Sequence, residues 1–278
     1  MKSKYLILLA VMLFSCANEK RNRPAVKEMA QHQIKSSEFQ SILDHAKVIG
    51  TILIYDLQEN SYYSNDFEWA ATGKLPASTF KIPNSIIALE NEVVENDSTM
   101  FKWNGEKREL PIWEQDMIFK EAFHRSCVPC YQDVARGIGV ARMNSWLQKL
   151  QYGTMQVDSA TIDKFWLEGA SRISANQQID FLVRFYKNEL PISSRTQAIM
   201  KRMMLIEENN RYTLYGKTGW SNNKGNHNGW FVGYMEIEKG AYFFASNIEP
   251  KGLFQQATFV PARKEVVLKA LQQLKLID

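Results

Sequence analysis

The stretch "LPASTFKIPNS", residues 75–85, marks the point where the chain changes from strand-forming to helix-forming sequence. Before it, "VIGTILIYDLQENSYYSN" (48–65) predicts two strands joined near Glu59 and Asn60. After it, residues from about 90 to 204 are dominated by helical patterns such as "SANQQIDFLVRFYKN" (174–188). The stretch therefore begins a helical segment that is inserted between two strand-forming regions.

Strand-forming sequence returns near the C-terminus. The segments "YTLYGKTGW" (212–220), "GWFVGYMEI" (229–237) and "AYFFASNI" (241–248) are short, aromatic and β-branched, and a hairpin turn is predicted at residues 238–240. Terminal helices are predicted from "SSEFQSILDHA" (36–46) and "RKEVVLKALQQLK" (263–275). This order predicts an α/β protein of the α+β kind, with one sheet flanked by terminal helices, an all-α lobe at about 90–204, and a cleft between them.

Ser78 and Lys81 are the first candidates for chemistry. Residues three apart in a helix lie on one face, so the Ser78 hydroxyl and the Lys81 amine should meet. An amine among apolar neighbours is partly neutral near pH 7 and can act as a base, although a helix cap and a lysine that extends toward solvent are the alternative. Ser221 and Lys224 have the same spacing, but "GWSNNKGN" around them predicts a solvated loop without catalysis.

The composition narrows the class of protein. The chain has 278 residues, of which 45% are hydrophobic and 23% charged, as is typical of a soluble globular protein. The net charge is +4, and much of the basic excess lies in the first 27 positions, with no basic stripe that would predict a nucleic-acid partner. The four histidines form no pair at ligand spacing, so no metal is expected.

The first 36 residues predict export. Two lysines precede an apolar run (5–14) that is too short to span a bilayer, so residues 1–15 are predicted to be a signal peptide, and no later segment is long and apolar enough to cross a membrane. The ending "LFSC" (13–16) resembles a bacterial lipoprotein box, which implies that Cys16 is lipidated. The expected product is a periplasmic, membrane-anchored lipoprotein with a polar tether (16–36) and a catalytic domain (37–278).

Cys127 and Cys130, in "SCVPCYQD" (126–133), admit three interpretations. A Cys-x-Pro-Cys run in an exported protein is compatible with a thioredoxin-type redox pair. That redox motif follows a β-strand, whereas "EAFHR" (121–125) has a helical pattern. Two buried thiols or a short structural bridge are therefore the favoured interpretations.

Three further motifs follow the Ser78 stretch in a fixed order. They are Ser126-Cys127-Val128, Tyr152-Gly153-Thr154 and Lys217-Thr218-Gly219. Together with "STFK" (78–81), "PCYQDVARGIG" (129–139), "IDKFWLEGASRIS" (162–174) and "GWFVGYME" (229–236), they make the chain similar to class D β-lactamases of the oxacillinase type along nearly its whole exported length. The resemblance implies a five-stranded antiparallel sheet with helices on both faces plus an α-lobe.

The resemblance also implies catalytic roles. Ser78 would be the nucleophile that opens a β-lactam and forms an acyl-enzyme. Lys81 would be carboxylated by dissolved carbon dioxide to N6-carboxylysine, the general base, and Trp166 would hydrogen-bond this carbamate. Ser126 would relay a proton to the lactam nitrogen, and Lys217 would supply positive charge near Ser78.

Five further residues are implied in binding. Val128 would keep the carbamate pocket dry, Thr218 would hydrogen-bond the substrate carboxylate, and Arg263 would bind that carboxylate bidentately. Gly219 would let its strand lie close to the substrate, and the N–H groups of Trp220 and Ser78 would form the oxyanion hole. The expected partners are a small-molecule β-lactam and water, with no cofactor beyond the carbon dioxide held at Lys81.

One departure from the family pattern affects the turn at 152–154. Thr154 stands where the family has Asn, so the contact usually made there should be altered or lost. Two alternative functions share the motif set. A β-lactam sensor domain holds its acyl adduct, and a penicillin-binding transpeptidase uses an unmodified lysine.

Overall fold

The structure is a computed structural model, and it describes residues 32–278. The helices in this part of the chain are α1 (Ser37–His45), α2 (Phe67–Ala71), α3 (Lys81–Glu90), α4 (Phe119–His124), α5 (Val128–Ile138), α6 (Val140–Leu150), α7 (Ala175–Tyr186), α8 (Ser194–Met204) and α9 (Gln256–Gln273). The strands are β1 (His32–Lys35), β2 (Val48–Asp56), β3 (Ser61–Ser64), β4 (Met100–Phe101), β5 (Met117–Ile118), β6 (Leu205–Glu208), β7 (Tyr212–Asn223), β8 (Asn226–Ile237) and β9 (Gly240–Pro250).

The main sheet has seven strands in the order β1-β3-β2-β9-β8-β7-β6, so strands from both ends of the chain form one sheet around a helical insert, as predicted. The β2–β9 pairing joins the two ends directly, with Val48 opposite Pro250 and Asp56 opposite Tyr242. All neighbouring pairs are antiparallel except β1 and β3. The α+β class is thereby confirmed.

The expected number of five strands is corrected to seven. The two additional strands, β1 and β6, have four residues each and lie at opposite edges of the sheet. Every residue of β1 is exposed, so its sequence "HQIK" carries none of the apolar alternation that marks a half-buried strand. β6 follows α8 without a break, and its "LIEE" is too short to be separated from the helical pattern before it.

Two cores lie on opposite faces of the sheet. On one face, fully buried Phe39 of α1 and Val266 of α9 pack against the sheet, and burial of each such side chain contributes about 1.5–3 kcal/mol. On the other face lies the helical lobe, whose centre is α3. Residues from Lys81 to Leu89 of α3 are all buried, because α3 packs against α5, α6 and α8. A helix surrounded in this way brings its polar residues into the interior.

Only part of the predicted N-terminal organisation lies within the residues that the structure describes. The signal peptide (1–15), Cys16 and the first part of the tether (16–31) lie outside the described residues. The domain was predicted to begin at residue 37, whereas β1 begins at His32 and Ser36 already caps α1 by accepting a hydrogen bond from the Phe39 N–H. Between residues 32 and 278, the structure contains no helix with the length and apolar character needed to span a membrane.

Candidate active site

Ser78 and Lys81 meet at the start of the helical lobe. Ser78 lies in a 3₁₀ turn (Ala77–Phe80), and Lys81 is the first residue of α3. Lys81 Nζ donates a hydrogen bond to Ser78 Oγ at 3.2 Å. Within the described chain, neither the turn nor α3 has a side-chain cap, so the Ser78 hydroxyl does not serve as a helix cap. Lys81 is 1% exposed, which excludes the interpretation of a lysine extended into solvent.

Burial changes the acidity of Lys81. Its amine is enclosed by protein and lies 4.8 Å from the centre of the Tyr131 ring. Because the charged form loses its hydration there, the pKa of Lys81 falls to about 7. A substantial fraction of the amine is therefore neutral at physiological pH, where it can accept a proton or react with an electrophile.

Trp166 supplies an unused donor in the same region. Its indole stacks on Phe80 with ring centres 5.6 Å apart, and its carbonyl accepts a hydrogen bond from Ala77 N–H at 2.8 Å. Trp166 is 1% exposed, yet its Nε1–H has no hydrogen-bond partner among the described residues. An unpaired buried donor costs about 1–3 kcal/mol, so this indole is suited to an additional acceptor.

Ser126 of the helical lobe and Lys217 of the sheet contact each other directly. Ser126 lies between α4 and α5 with a left-handed φ of 52°, and Lys217 belongs to β7. Lys217 Nζ donates to Ser126 Oγ at 2.5 Å and to the Thr218 carbonyl at 3.0 Å. Lys217 is 4% exposed, and burial, followed by the nearby charges of Lys81 and Arg263, lowers its pKa well below the usual value. It is therefore not the solvated strand lysine that an isolated motif would suggest.

Gly219 allows β7 to approach the nucleophile turn. A Cβ added at Gly219 would lie 3.2 Å from the Pro76 carbonyl oxygen and 3.2 Å from the Thr79 nitrogen. The sequence predicted that this glycine admits the substrate, and the structure adds a direct contact with the turn that carries Ser78. Trp220, the next residue, is partly exposed.

Arg263 reaches β7 from α9. Its guanidinium donates to the Gly219 carbonyl at 2.9 Å and to the Val260 carbonyl at 2.8 Å. Burial lowers the pKa of Arg263 to about 10, so it remains charged near neutral pH. A Cβ at Gly229 would lie 2.8 Å from Arg263 Cγ, which explains a glycine at this point of β8. Arg263 is thus held at the same part of β7 as Gly219 and Trp220.

Val128 begins α5 beside a disulfide. Cys127 and Cys130 are bonded to each other, and they are 0% and 2% exposed. The preceding element is helix α4, as predicted, rather than the strand that a thioredoxin-type site requires. Of the three interpretations, the structure selects the short structural bridge.

The turn at 152–154 contacts the nucleophile turn through a side chain that the sequence did not single out. Buried Gln178 donates from Nε2 to Thr79 Oγ1 at 2.9 Å and accepts from Tyr152 Oη at 3.1 Å. Thr154 forms two 2.8 Å backbone hydrogen bonds with Arg172. The sequence could have identified Gln178 as a candidate, because it is a polar residue on the apolar face of α7.

The structure does not bring Ser221 and Lys224 together, although they have the same spacing as Ser78 and Lys81. Ser221 lies in β7 and is 6% exposed, whereas Lys224 lies in the turn before β8 and is exposed. The expected solvated loop is thus corrected for Ser221, whose hydroxyl accepts a hydrogen bond from Asn228. Across residues 32–278, no group of three or more His, Cys, Asp or Glu residues is placed to hold a metal ion.

Comparisons with known proteins agree with this arrangement. The family model described as "Penicillin binding protein transpeptidase domain" matches residues 50–272. The chain is 37% identical over 255 residues to β-lactamase OXA-48 of Klebsiella pneumoniae, covering 91% of this chain and 93% of that protein. It is 38% identical over 233 residues to β-lactamase OXA-10 of Pseudomonas aeruginosa, covering 83% and 86%.

Solved structures give the same result. A class D β-lactamase of Sebaldella termitidis superposes with a TM-score of 0.84 at 33% identity, covering 90% of this chain and all of that one. The class D β-lactamase YbXI from Nostoc superposes with a TM-score of 0.82 at 39% identity, covering 86% and 99%. The chain belongs to the class D β-lactamases, within the penicillin-binding transpeptidase fold.

Proposed function

We propose that this protein hydrolyses β-lactam antibiotics through an acyl-enzyme on Ser78 and thereby confers resistance to them. Membership of the class D β-lactamases supports this reaction. The observation that carries the proposal is the geometry around Ser78, because a buried amine with a pKa of about 7 donates to its hydroxyl at 3.2 Å. A nucleophile with an adjacent base is the requirement for acyl transfer at a serine.

Carbon dioxide fits the site as a group bound to Lys81. The neutral fraction of the amine can react with it, and the unpaired Trp166 Nε1–H is a donor for an added oxygen. Bound there as a carbamate, carbon dioxide would supply a carboxylate-type base beside Ser78. Phe80 is fully buried and Val128 packs against the same core, so we assign to these two side chains the exclusion of water from the carbamate.

Acylation uses groups on both sides of the cleft. Ser78 Oγ bonds to the lactam carbonyl carbon and loses its proton toward the Lys81 side chain. The N–H groups of Ser78 and Trp220 receive the developing oxyanion. The lactam C–N bond then breaks, and Ser126 delivers a proton to the nitrogen, while Lys217 replenishes it across the 2.5 Å hydrogen bond.

The substrate carboxylate is assigned to the β7 side of the cleft. Lys217, Thr218 and Arg263 occupy one stretch of β7 and the part of α9 that contacts it. Arg263 is held by two backbone carbonyls, so its guanidinium is oriented before substrate binds. For deacylation, the Lys81 side chain first passes the proton taken from Ser78 back to Lys217. Water then attacks the acyl carbon and gives a proton to Lys81, the ester bond breaks, Ser78 Oγ takes up that proton, and the penicilloate-type product is released.

Two measurements test this function. Intact-protein mass spectrometry after exposure to benzylpenicillin should show an adduct on the wild type and none on Ser78→Ala. Purified wild type should turn over many equivalents of the chromogenic cephalosporin nitrocefin. A reaction that stops after one equivalent would favour the sensor-domain alternative, and an adduct on Ser78→Ala would disprove the nucleophile assignment.

We further propose that residues 1–15 direct export to the periplasm and that Cys16 carries a lipid anchor. The support is the short apolar run after two lysines and the "LFSC" ending. Cys16→Ser should leave the protein without lipid and largely soluble after cell fractionation. Wild-type protein that is released without lipid would show that the segment is an ordinary signal peptide.

A further inference from the structure

Two buried side chains of β8 hold one backbone carbonyl near the nucleophile. Asn228 Nδ2 and Trp230 Nε1 each donate a 2.8 Å hydrogen bond to the Leu75 carbonyl oxygen. Asn228 is 8% exposed and Trp230 is fully buried. Leu75 lies three residues before Ser78, so these donors fix the segment that enters the nucleophile turn.

That segment contains a strained residue. Ala77 has a φ of 50°, in the left-handed region, where the Cβ of an alanine crowds the backbone. Such a conformation persists only where the surroundings impose it. Here the Ala77 N–H donates to the Trp166 carbonyl at 2.8 Å on one side, and the Leu75 carbonyl is held by β8 on the other. The two attachments hold the backbone directly before Ser78.

Asn228 also contacts the strand opposite the nucleophile turn. Its Nδ2 donates to Ser221 Oγ at 3.3 Å, and Ser221 follows Trp220 directly. In the β7–β8 register, Ser221 lies opposite Asn228 and Trp220 lies opposite Gly229. One carboxamide therefore joins the two chain segments that carry the Ser78 and Trp220 N–H groups.

The orientation of this carboxamide is itself fixed. Asn247 Nδ2 donates to Asn228 Oδ1 at 2.6 Å, so the Asn228 oxygen points toward Asn247 and its nitrogen toward Leu75. Asn247 Oδ1 in turn accepts from Trp69 Nε1 at 2.9 Å. The two asparagines are buried and paired at each of these atoms, which is the condition under which polar groups rigidify an interior.

We propose that Asn228 and Trp230 are positioning residues that set the separation of the two oxyanion-hole N–H groups, on Ser78 and Trp220. The inference rests on the proposed acyl-transfer function. Oxyanion donors must lie within about 2.7–3.1 Å of the oxygen that becomes charged. A displacement of about 1 Å can reduce the rate by about a hundredfold. The two hydrogen bonds to the Leu75 carbonyl can therefore change the acylation rate although Asn228 and Trp230 do not touch the substrate.

The experiment compares two tryptophans of the same network. Trp230→Phe removes one donor to the Leu75 carbonyl, whereas the control Trp69→Phe removes the donor at the far end, on Asn247. Acylation by benzylpenicillin is measured in single-turnover stopped-flow experiments, and the unfolding temperature of each variant is measured in parallel. Asn228→Leu, similar in volume, removes the second donor and provides an independent variant.

We expect Trp230→Phe to slow acylation about tenfold and Asn228→Leu about a hundredfold. The dissociation constant of the non-covalent benzylpenicillin complex, obtained from the concentration dependence of the same single-turnover rates, should change less than about threefold. Trp69→Phe should match the wild-type rate even if its unfolding temperature falls as much as that of Trp230→Phe, because Asn247 Nδ2 also donates to the Gly229 carbonyl at 3.3 Å and so keeps its contact with Asn228. Equal acylation rates in Trp230→Phe and Trp69→Phe, with a reactive wild type, would overturn this inference alone. A wild type that forms no Ser78 adduct would overturn the proposed function and this inference together.

Discussion

Lys217 Nζ lies 2.5 Å from Ser126 Oγ, although 91 positions separate the two residues in the chain. The contact joins β7 to the segment between α4 and α5, and so it links the sheet directly to the helical lobe. Lys217 is buried, and the lost hydration lowers its pKa well below the usual lysine value, so its ammonium gives up a proton to the Ser126 hydroxyl more readily than a solvated lysine would.

This contact predicts that the two residues act as a unit. Ser126→Ala and Lys217→Met should each slow single-turnover acylation by about a hundredfold, because either change breaks the path to the lactam nitrogen. The double variant should be little slower than the slower single variant, since the second change removes a group that no longer functions. Multiplicative losses in the double variant would show that Ser126 and Lys217 work independently.

The lowered pKa of Lys81 predicts dependence on pH and carbon dioxide. Below about pH 7 the amine is protonated and does not react with carbon dioxide, so the modified fraction should fall as pH drops. Nitrocefin turnover in degassed buffer at pH 6 should decline progressively and recover on addition of bicarbonate. Turnover that is indifferent to bicarbonate at every pH would identify Lys81 as a free amine, as in a transpeptidase.

The same pKa predicts how stability varies with pH. In the absence of carbon dioxide, Lys81 of the unfolded chain stays protonated up to the ordinary lysine pKa of 10.5, whereas the folded state releases that proton near pH 7. Between these values the unfolded state binds more protons, so the free energy of unfolding should rise with pH by up to about 1.4 kcal/mol per unit. Urea titrations at pH 7.5 and 9.5 should show a smaller rise for Lys81→Met than for wild type. Equal rises in the free energy of unfolding of the two proteins would contradict the lowered pKa of Lys81.

Replacing Trp166 by Phe isolates the unused indole donor. The ring can still stack on Phe80, while the buried N–H is removed, so the unfolding temperature should be unchanged or slightly higher. The carbamate loses its donor, and the acyl-enzyme should accumulate because deacylation slows by about a hundredfold. Carbon-13 NMR with labelled bicarbonate measures the carbamate on Lys81 directly. A wild-type carbamate signal in Trp166→Phe would show that the indole does not hold this group.

The disulfide should contribute to stability rather than to chemistry. Cys130→Val keeps an apolar side chain at a buried position, and the loop closed by the bond is short, so the entropic stabilisation that is lost is small. Turnover should stay within about tenfold of wild type, a barrier change of about 1.4 kcal/mol or less. A much larger loss, unaffected by reductant, would indicate that the bond positions the neighbouring Ser126 and Val128.

The sequence predicted the long strands and the helical insert because their apolar patterns are periodic over many residues. It missed β1 and β6, since four residues at a sheet edge carry no such pattern. It also missed β4 and β5, a two-stranded sheet of two residues each within the segment predicted to be all-α. It also placed Ser78 with Lys81 in one helical turn, where spacing alone brings side chains together.

The buried polar network was not predicted, and the reason is physical. Asn228 and Asn247 are polar residues within strands, and a polar residue in a strand normally indicates a face turned toward solvent. Their burial follows from contacts with Trp69 and Leu75, which come from distant parts of the chain. Tertiary contacts of that kind leave no local periodicity to detect.

The parallel edge strand β1 has a practical consequence for surface attachment. β1 lies five strand positions from β7 in the sheet order, which is roughly 24 Å at about 4.8 Å per strand. His32, the first residue of β1, therefore lies at the sheet edge remote from the strand that carries Lys217. Immobilisation on a bead or an electrode through a cysteine introduced at the exposed position 32, His32→Cys, should leave diffusion of small antibiotics to Ser78 unhindered, whereas crosslinking through the exposed Lys224, beside β7, should restrict it.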